Sequence, residues 1–196
     1  MFKPLILTAA LLLAGNAFAA PVSYKIDPNH TNVIATWDHF GYSKPSANFG
    51  QADGTIVYDA EHVATSSVKV TLPLSGLSAF VADFEAHLRS KDFFEVDKYP
   101  DATFVSTKVE AAGANKLRVT GDLTMHGVTK PVVLDVTLNK SAPGRDGQPR
   151  VGFDATATIK RRDFGLGLYA PGVSDEVSLR ITTEAGVPKA EGDARK

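Results

Sequence analysis

A run that alternates apolar and polar residues with period two fits a strand with one face turned inward, and most of this 196-residue chain alternates in that way. The clearest run sets Leu117, Val119, Gly121, Leu123 and Met125 against Lys116, Arg118, Thr120, Asp122, Thr124 and His126. Beyond Gly127-Val128-Thr129-Lys130-Pro131, a second sets Val132, Leu134, Val136 and Leu138 against Asp135, Thr137 and Asn139, so the two read as a long hairpin. Val151, Phe153, Ala155, Ala157 and Ile159 form a third face. Val177, Leu179 and Ile181 answer it across a Gly-rich loop. Val33, Ala35, Trp37 and His39 share one face near the start, residues 55–59 form a short strand, and Val68, Val70 and Leu72 alternate with polar neighbours. Residues 103–109 carry apolar side chains on both parities, which leaves their inward face open. Turn-rich breaks at 112–115 and 141–147 complete a pattern of about eight strands, that of an all-β sandwich or barrel.

One segment departs from this period. Phe80, Phe84 and Leu88 recur at i, i+4, i+8 and predict an amphipathic helix at about 78–90, with Ser78 as its N-cap, Asp83 and Glu85 early and Arg89 late. Such a helix suits the end of a barrel.

The first residues read differently again. Lys3, an apolar run over 4–14 and Ala17-Phe18-Ala19 predict a secretory signal peptide at 1–19, cleaved before Ala20. That run is too short to span a bilayer, which takes ~20 residues. With no cysteine there is neither a lipid-anchor thiol nor a disulfide, and no twin-arginine pair stands at the start, so export by the general secretory route is expected. Residues 20–187 are then one domain, and the charged, small-residue-rich 188–196 a disordered tail. Loss of Lys3 moves the formal charge from −1 to −2, a poor match to nucleic acid, which wants clustered Lys and Arg. No second run of membrane length follows.

The sequence carries no Gly-x-Ser-x-Gly elbow, phosphate loop or His-Glu-x-x-His, and Asp163-Phe164-Gly165 stands without the other kinase motifs. The five histidines never share an i, i+2 or i, i+4 spacing, so neither an enzyme nor a metal site is expected, and no cofactor. What remains is the interior. An eight-stranded barrel is just wide enough to be filled by its own side chains or to hold one ligand. Ala35, Gly121, Ala155 and Ala157 leave space on the inward rows, and Ser106 and His39 are the few polar groups there, so a guest would be long and apolar.

The chain resembles the YceI-like family of periplasmic polyisoprenoid-binding proteins over nearly its whole mature length. The likeness rests on the order and spacing of several blocks. They are Asp27-Pro28-Asn29-His30-Thr31, Asn48-Phe49-Gly50, His87-Leu88-Arg89-Ser90-Lys91-Asp92-Phe93-Phe94, Gly121-Asp122-Leu123-Thr124-Met125-His126-Gly127 and Arg162-Asp163-Phe164-Gly165. The resemblance implies a lipocalin-like eight-stranded antiparallel β-barrel whose pore binds an isoprenoid lipid, a polyprenyl phosphate or a quinone. Ala35 and Ala52 stand where the family commonly has aromatics, which would reshape the pore.

The expected wall is Ala35, Trp37, His39, Phe49, Phe80, Phe84, Phe104, Leu123, Met125, Leu134, Phe153, Ala155 and Phe164. Candidates for the head group are His39, His87, Arg89, Arg161 and Arg162, the arginines because a guanidinium grips phosphate in two places. The leading expectation is a carrier or sequestering protein. Its rivals are an accessory that presents quinone to a membrane cytochrome and a structural factor with a vestigial pocket. A homodimer is left open.

Overall fold

The computed structural model describes residues 21–189; the expected signal peptide and residues 190–196 of the expected tail lie outside them. The two alternating runs around Gly127 are β8 (Lys116–Met125) and β9 (Val128–Pro143), antiparallel with Leu117 facing Val136, Val119 facing Leu134 and Gly121 facing Val132. Their two-residue turn, His126-Gly127, has φ of 52° and 72°, the left-handed pair that matches strand twist in a tight hairpin. β7 (Asp101–Gly113) lies on the other side of β8, and β10 (Pro149–Lys160) pairs with β9 and with β11 (Glu176–Gly186).

The mixed parity of 103–109 has a simple origin. Ser106 faces Gly121 but Lys108 faces Thr120, so Thr107 is an extra residue, a β-bulge. The bulge flips the parity, and Phe104 before it and Val109 after it both turn inward while Val105 is exposed. Ser106 makes use of the interruption, its Oγ accepting from the Val68 N–H at 2.9 Å.

β1 (Val22–Ile26), β4 (Asp53–Tyr58) and β5 (Ser67–Pro73) complete the wall. The order β1-β4-β5-β7-β8-β9-β10-β11 closes through β1 and β11 into an eight-stranded antiparallel barrel. β2 (Asn32–Thr36), β3 (Ser46–Phe49) and β6 (Leu77–Ser78) extend it at one end. β2 takes over from β1 along β11, β3 pairs with β2, and β6 pairs with β3. In effect three strands are each broken once, at 27–31, 50–52 and 74–76. Two of the breaks lie against each other. Gly50 N–H donates to Gly76 O at 3.1 Å, and a Cβ on Gly76 would meet that Gly50 carbonyl oxygen at 2.6 Å.

Past Pro73 and Asp101 the wall parts, because β6 follows β3 rather than β7. Residues 79–100, including α1 (Ala82–Arg89), lie at this end, and Leu88 is buried with Ala47, Leu77 and Ala79. The helix is shorter than the sequence predicts. Ser78 is spent in the pairing with Asn48, and Phe80 at φ 66° turns the chain before the helix, so Ser78 is not the cap. Instead Glu85 reaches back and accepts from Ser78 Oγ and Ala79 N–H, both at 2.9 Å. These donors, the Ala79 amide first, hold its carboxyl below the usual glutamate range.

Candidate functional site: a two-chambered apolar duct

The inward rows enclose two chambers. One, of about 400 Å³, lies at the parted end beneath α1, and the other, of about 170 Å³, lies deeper among β4, β5 and β7–β10. Val33, Leu72, Leu123 and Leu179 belong to the walls of both, so the chambers adjoin end to end at an aliphatic waist. The strand pairing makes the upper chamber wide. Ala35 faces Ala47 on one side and Leu179 on the other, two alanines side by side where bulkier residues would close the space.

Of the expected wall, Ala35, Trp37, His39, Phe49, Phe84 and Met125 line the upper chamber, and Phe104, Leu134, Phe153 and Ala155 the lower. Rings cluster above. Trp37 lies 6.0 Å from Phe84 and Phe49 packs edge-on to Phe94 at 5.6 Å. Below, Phe153 packs edge-on to Tyr58 at 5.5 Å. On the lower wall Thr31 and Thr183 share a hydrogen bond of 2.8 Å, and the Ser66 hydroxyl accepts from the Asp59 N–H at 3.0 Å. An apolar guest therefore meets hydrocarbon and ring faces, gaining about 25 cal/mol for each Å² removed from water.

Several residues lie elsewhere. Phe80 is 80% exposed, because its left-handed backbone throws the ring outward over the ends of β2 and β3. Phe164 is only 1% exposed but packs with Met125, Val132 and Leu166 in solid core rather than on the duct wall. Ala157 joins the edge of the same cluster, and the room beside Gly121 is filled by the Phe104 ring.

The arginines are also committed. Arg161 is buried on the upper wall, but its guanidinium donates to Ser174 O at 2.8 Å, Leu166 O at 2.6 Å, Leu168 O at 3.2 Å and Val173 O at 2.9 Å. Its burial pushes the pKa down, against the pull of Asp175. With four backbone oxygens on its fork, Arg161 staples the 166–174 loop and has no paired donors left for a phosphate. Arg89 donates to Leu77 O and Ser75 O and pairs with Glu85 at 3.9 Å. Arg162 lies on the outside beside Asp92 and Gly167. Of the expected head-group residues, His39 and His87 reach the chamber with side chains free to meet a guest, His87 edge-on to Phe93 at 4.8 Å.

Sequence reasoning missed Phe93, Phe94 and Tyr169. They sit in irregular segments with no period to read. Val33, Leu72 and Leu179, which the alternation sets on the apolar faces of their strands, join the wall as well. Among the described residues no three His, Cys, Asp or Glu side chains come together as a metal site.

A family model described as the YceI-like domain matches residues 24–185. A UPF0312 protein of Pseudomonas putida is 41% identical over 186 residues, 93% of this chain and 95% of its own. BcnA of Burkholderia cenocepacia superposes with a TM-score of 0.75 at 26% identity, covering 82% of this chain and 99% of that one. A Campylobacter jejuni YCEI protein gives 0.70 at 28% identity, over 94% and 100%. A polyisoprenoid binding domain from Saccharophagus degradans shares the fold, with a TM-score of 0.64 at 16% identity over 84% and 98%.

Proposed function

The chain belongs to the YceI-like family, and from that premise we propose that it is a binding protein which sequesters or carries one long isoprenoid lipid through the periplasm, the chain of the lipid lying along the duct. The observation that carries this reading is the shared waist. Two chambers joined end to end by Val33, Leu72, Leu123 and Leu179 suit a flexible hydrocarbon chain better than a compact solute. The description of the Saccharophagus domain, which names polyisoprenoid binding, supports the same ligand class.

The mouth favours a quinone over a polyprenyl phosphate. A phosphate wants paired N–H donors, and Arg89, Arg161 and Arg162 are bound to carbonyls, paired or outside the duct. His39, His87 and Tyr169 remain on the upper wall, single donors suited to a quinone carbonyl. This observation also favours a second reading, in which the protein presents quinone to a membrane redox partner.

Native mass spectrometry of the protein from a periplasmic extract tests the proposal. The expected result is one prenyl lipid per chain with a quinone head-group mass. A protein released gently and found empty, or one loaded with a compact solute, overturns the carrier reading.

A further inference from the structure

Among the described residues eight large apolar side chains are exposed, and two of them, Val105 and Val133, lie on barrel strands. The other six are Phe40 (53% exposed), Tyr42 (91%), Phe80 (80%), Val81 (59%), Leu168 (41%) and Tyr169 (55%). They occupy three connections, from β2 to β3, from β6 to α1 and from β10 to β11. The pairings Thr36 with Ser46, Thr36 with Ser178, Lys160 with Glu176 and Asn48 with Ser78 place these connections at one end of the barrel. It is the end where His39, His87 and Tyr169, all exposed, line the upper chamber. The connections also touch one another. Phe40 N–H donates to Gly172 O at 2.7 Å, and the Tyr169 ring lies 6.4 Å from Phe93 on the chamber wall.

Backbone conformation adds an independent observation. Phe40, Phe80 and Tyr169 have φ of 55°, 66° and 64°, in the left-handed region that bulky residues avoid. Glycine would relax each of them, as Gly41 and Gly165 do nearby. Folding gains little from the Phe80 ring, which is 80% exposed on a turn shaped for glycine, while the half-exposed rings of Phe40 and Tyr169 pack one side on Gly172 and Phe93 and leave the other to water. These rings are placed for contact.

We infer that the six side chains dock the open end of the duct onto a zwitterionic lipid bilayer; the inference rests on the carrier reading for its purpose, not for its test. Charge is consistent with that surface. Asp38 and Lys44 flank the Phe40 tip, and Arg162 and Asp163 precede the Tyr169 tip, so both signs rim the opening. Asp83 follows the Phe80 tip, so three carboxylates stand against two cations, a balance that offers nothing to an anionic surface and little to a cationic one, and the rings supply the attachment. Tyr and Phe suit the headgroup boundary, where one end of a side chain is wet and the other apolar. A protein partner seated across three separate tips would close the mouth. A bilayer can cover the tips and also supply the apolar guest, which then passes between hydrocarbon and duct without crossing water.

Flotation of the mature full-length protein with vesicles of phosphatidylcholine and phosphatidylethanolamine tests this, alongside a Tyr42→Ser, Phe80→Gly double variant. Neither residue lines the duct, and glycine suits the backbone at 80. Wild type should float, and the variant should partition at least about tenfold less with its denaturation midpoint and its co-purifying lipid unchanged. Wild type left at the bottom, equal flotation of the variant, or self-association in sedimentation without flotation overturns the inference. An empty protein that floats would remove the carrier reading and leave the docking surface; a loaded protein that does not float would do the reverse.

Discussion

The ring of Phe104 occupies the space that a side chain at Gly121 would need: a Cβ there would stand 2.4 Å from Phe104 Cζ and 2.6 Å from Val105 O. Gly121 is thus a packing partner of an aromatic residue beside the β7 bulge, not room held for a ligand. Gly121→Ala must displace either the ring or the neighbouring backbone. It should lower the denaturation free energy by about 1–3 kcal/mol, read from the denaturant midpoint at unchanged slope. An unshifted midpoint would show that the ring moves freely.

Ala35 and Ala155 look alike in the sequence, small residues on inward rows, yet the chambers they face differ in volume, about 400 and 170 Å³. Ala35→Phe should place its ring in the upper chamber, displace bound prenyl lipid and leave the midpoint of the lipid-free protein nearly unchanged. Ala155→Phe enters the narrower chamber between Val136 and Ile181 and should cost about 1–3 kcal/mol through overpacking. Lipid retained in full by Ala35→Phe would mean that the upper chamber is not on the ligand's path.

These contrasts mark what the sequence could disclose. Period two exposed the long strands and their inward faces, since alternation is a local property that burial enforces at every second residue. The parity of 103–109 stayed open because one extra residue, Thr107, reverses it, and apolar residues on both parities do not say where along the strand the reversal falls. Phe80 misled because helical spacing to Phe84 and Leu88 says nothing about a left-handed backbone just before the helix. The arginines misled for a related reason. Charge and proximity in sequence suggest a phosphate grip, but only the folded 166–174 loop brings four carbonyl oxygens onto Arg161.

Glu85 should give the α1 end of the barrel a measurable acid sensitivity. Its carboxyl is held below 4.5, the ordinary glutamate value, chiefly by the Ala79 amide and the Ser78 hydroxyl. A lowered folded-state pKa stabilises the fold above the unfolded value, and that contribution fades as pH falls through the folded one. Stability should therefore decline as pH drops below about 4.5, and Glu85→Gln should show a shallower decline with a lower midpoint at pH 7. Denaturant titrations of both proteins from pH 7 to pH 3 check this; parallel curves would mean that the contacts with Ser78 and Ala79 contribute nothing.

Arg161 allows the structural and the ligand-binding roles of a buried cation to be separated. Its guanidinium reaches four carbonyl oxygens across the loop between β10 and β11, a geometry that a planar fork can satisfy and a lysine ammonium cannot. Arg161→Lys keeps the positive charge but leaves several of those buried oxygens without donors, at a cost of about 2–4 kcal/mol. If Arg161 acts as a staple, the midpoint should fall and the surviving folded protein should prefer the same prenyl head group as wild type. If it instead gripped a phosphate, the selectivity between a prenyl phosphate and a prenyl quinone should change in the variant while the midpoint moved little. Competition between those two ligands, measured beside denaturant melts of the lipid-free protein, separates the outcomes. The four filled donor positions predict the first.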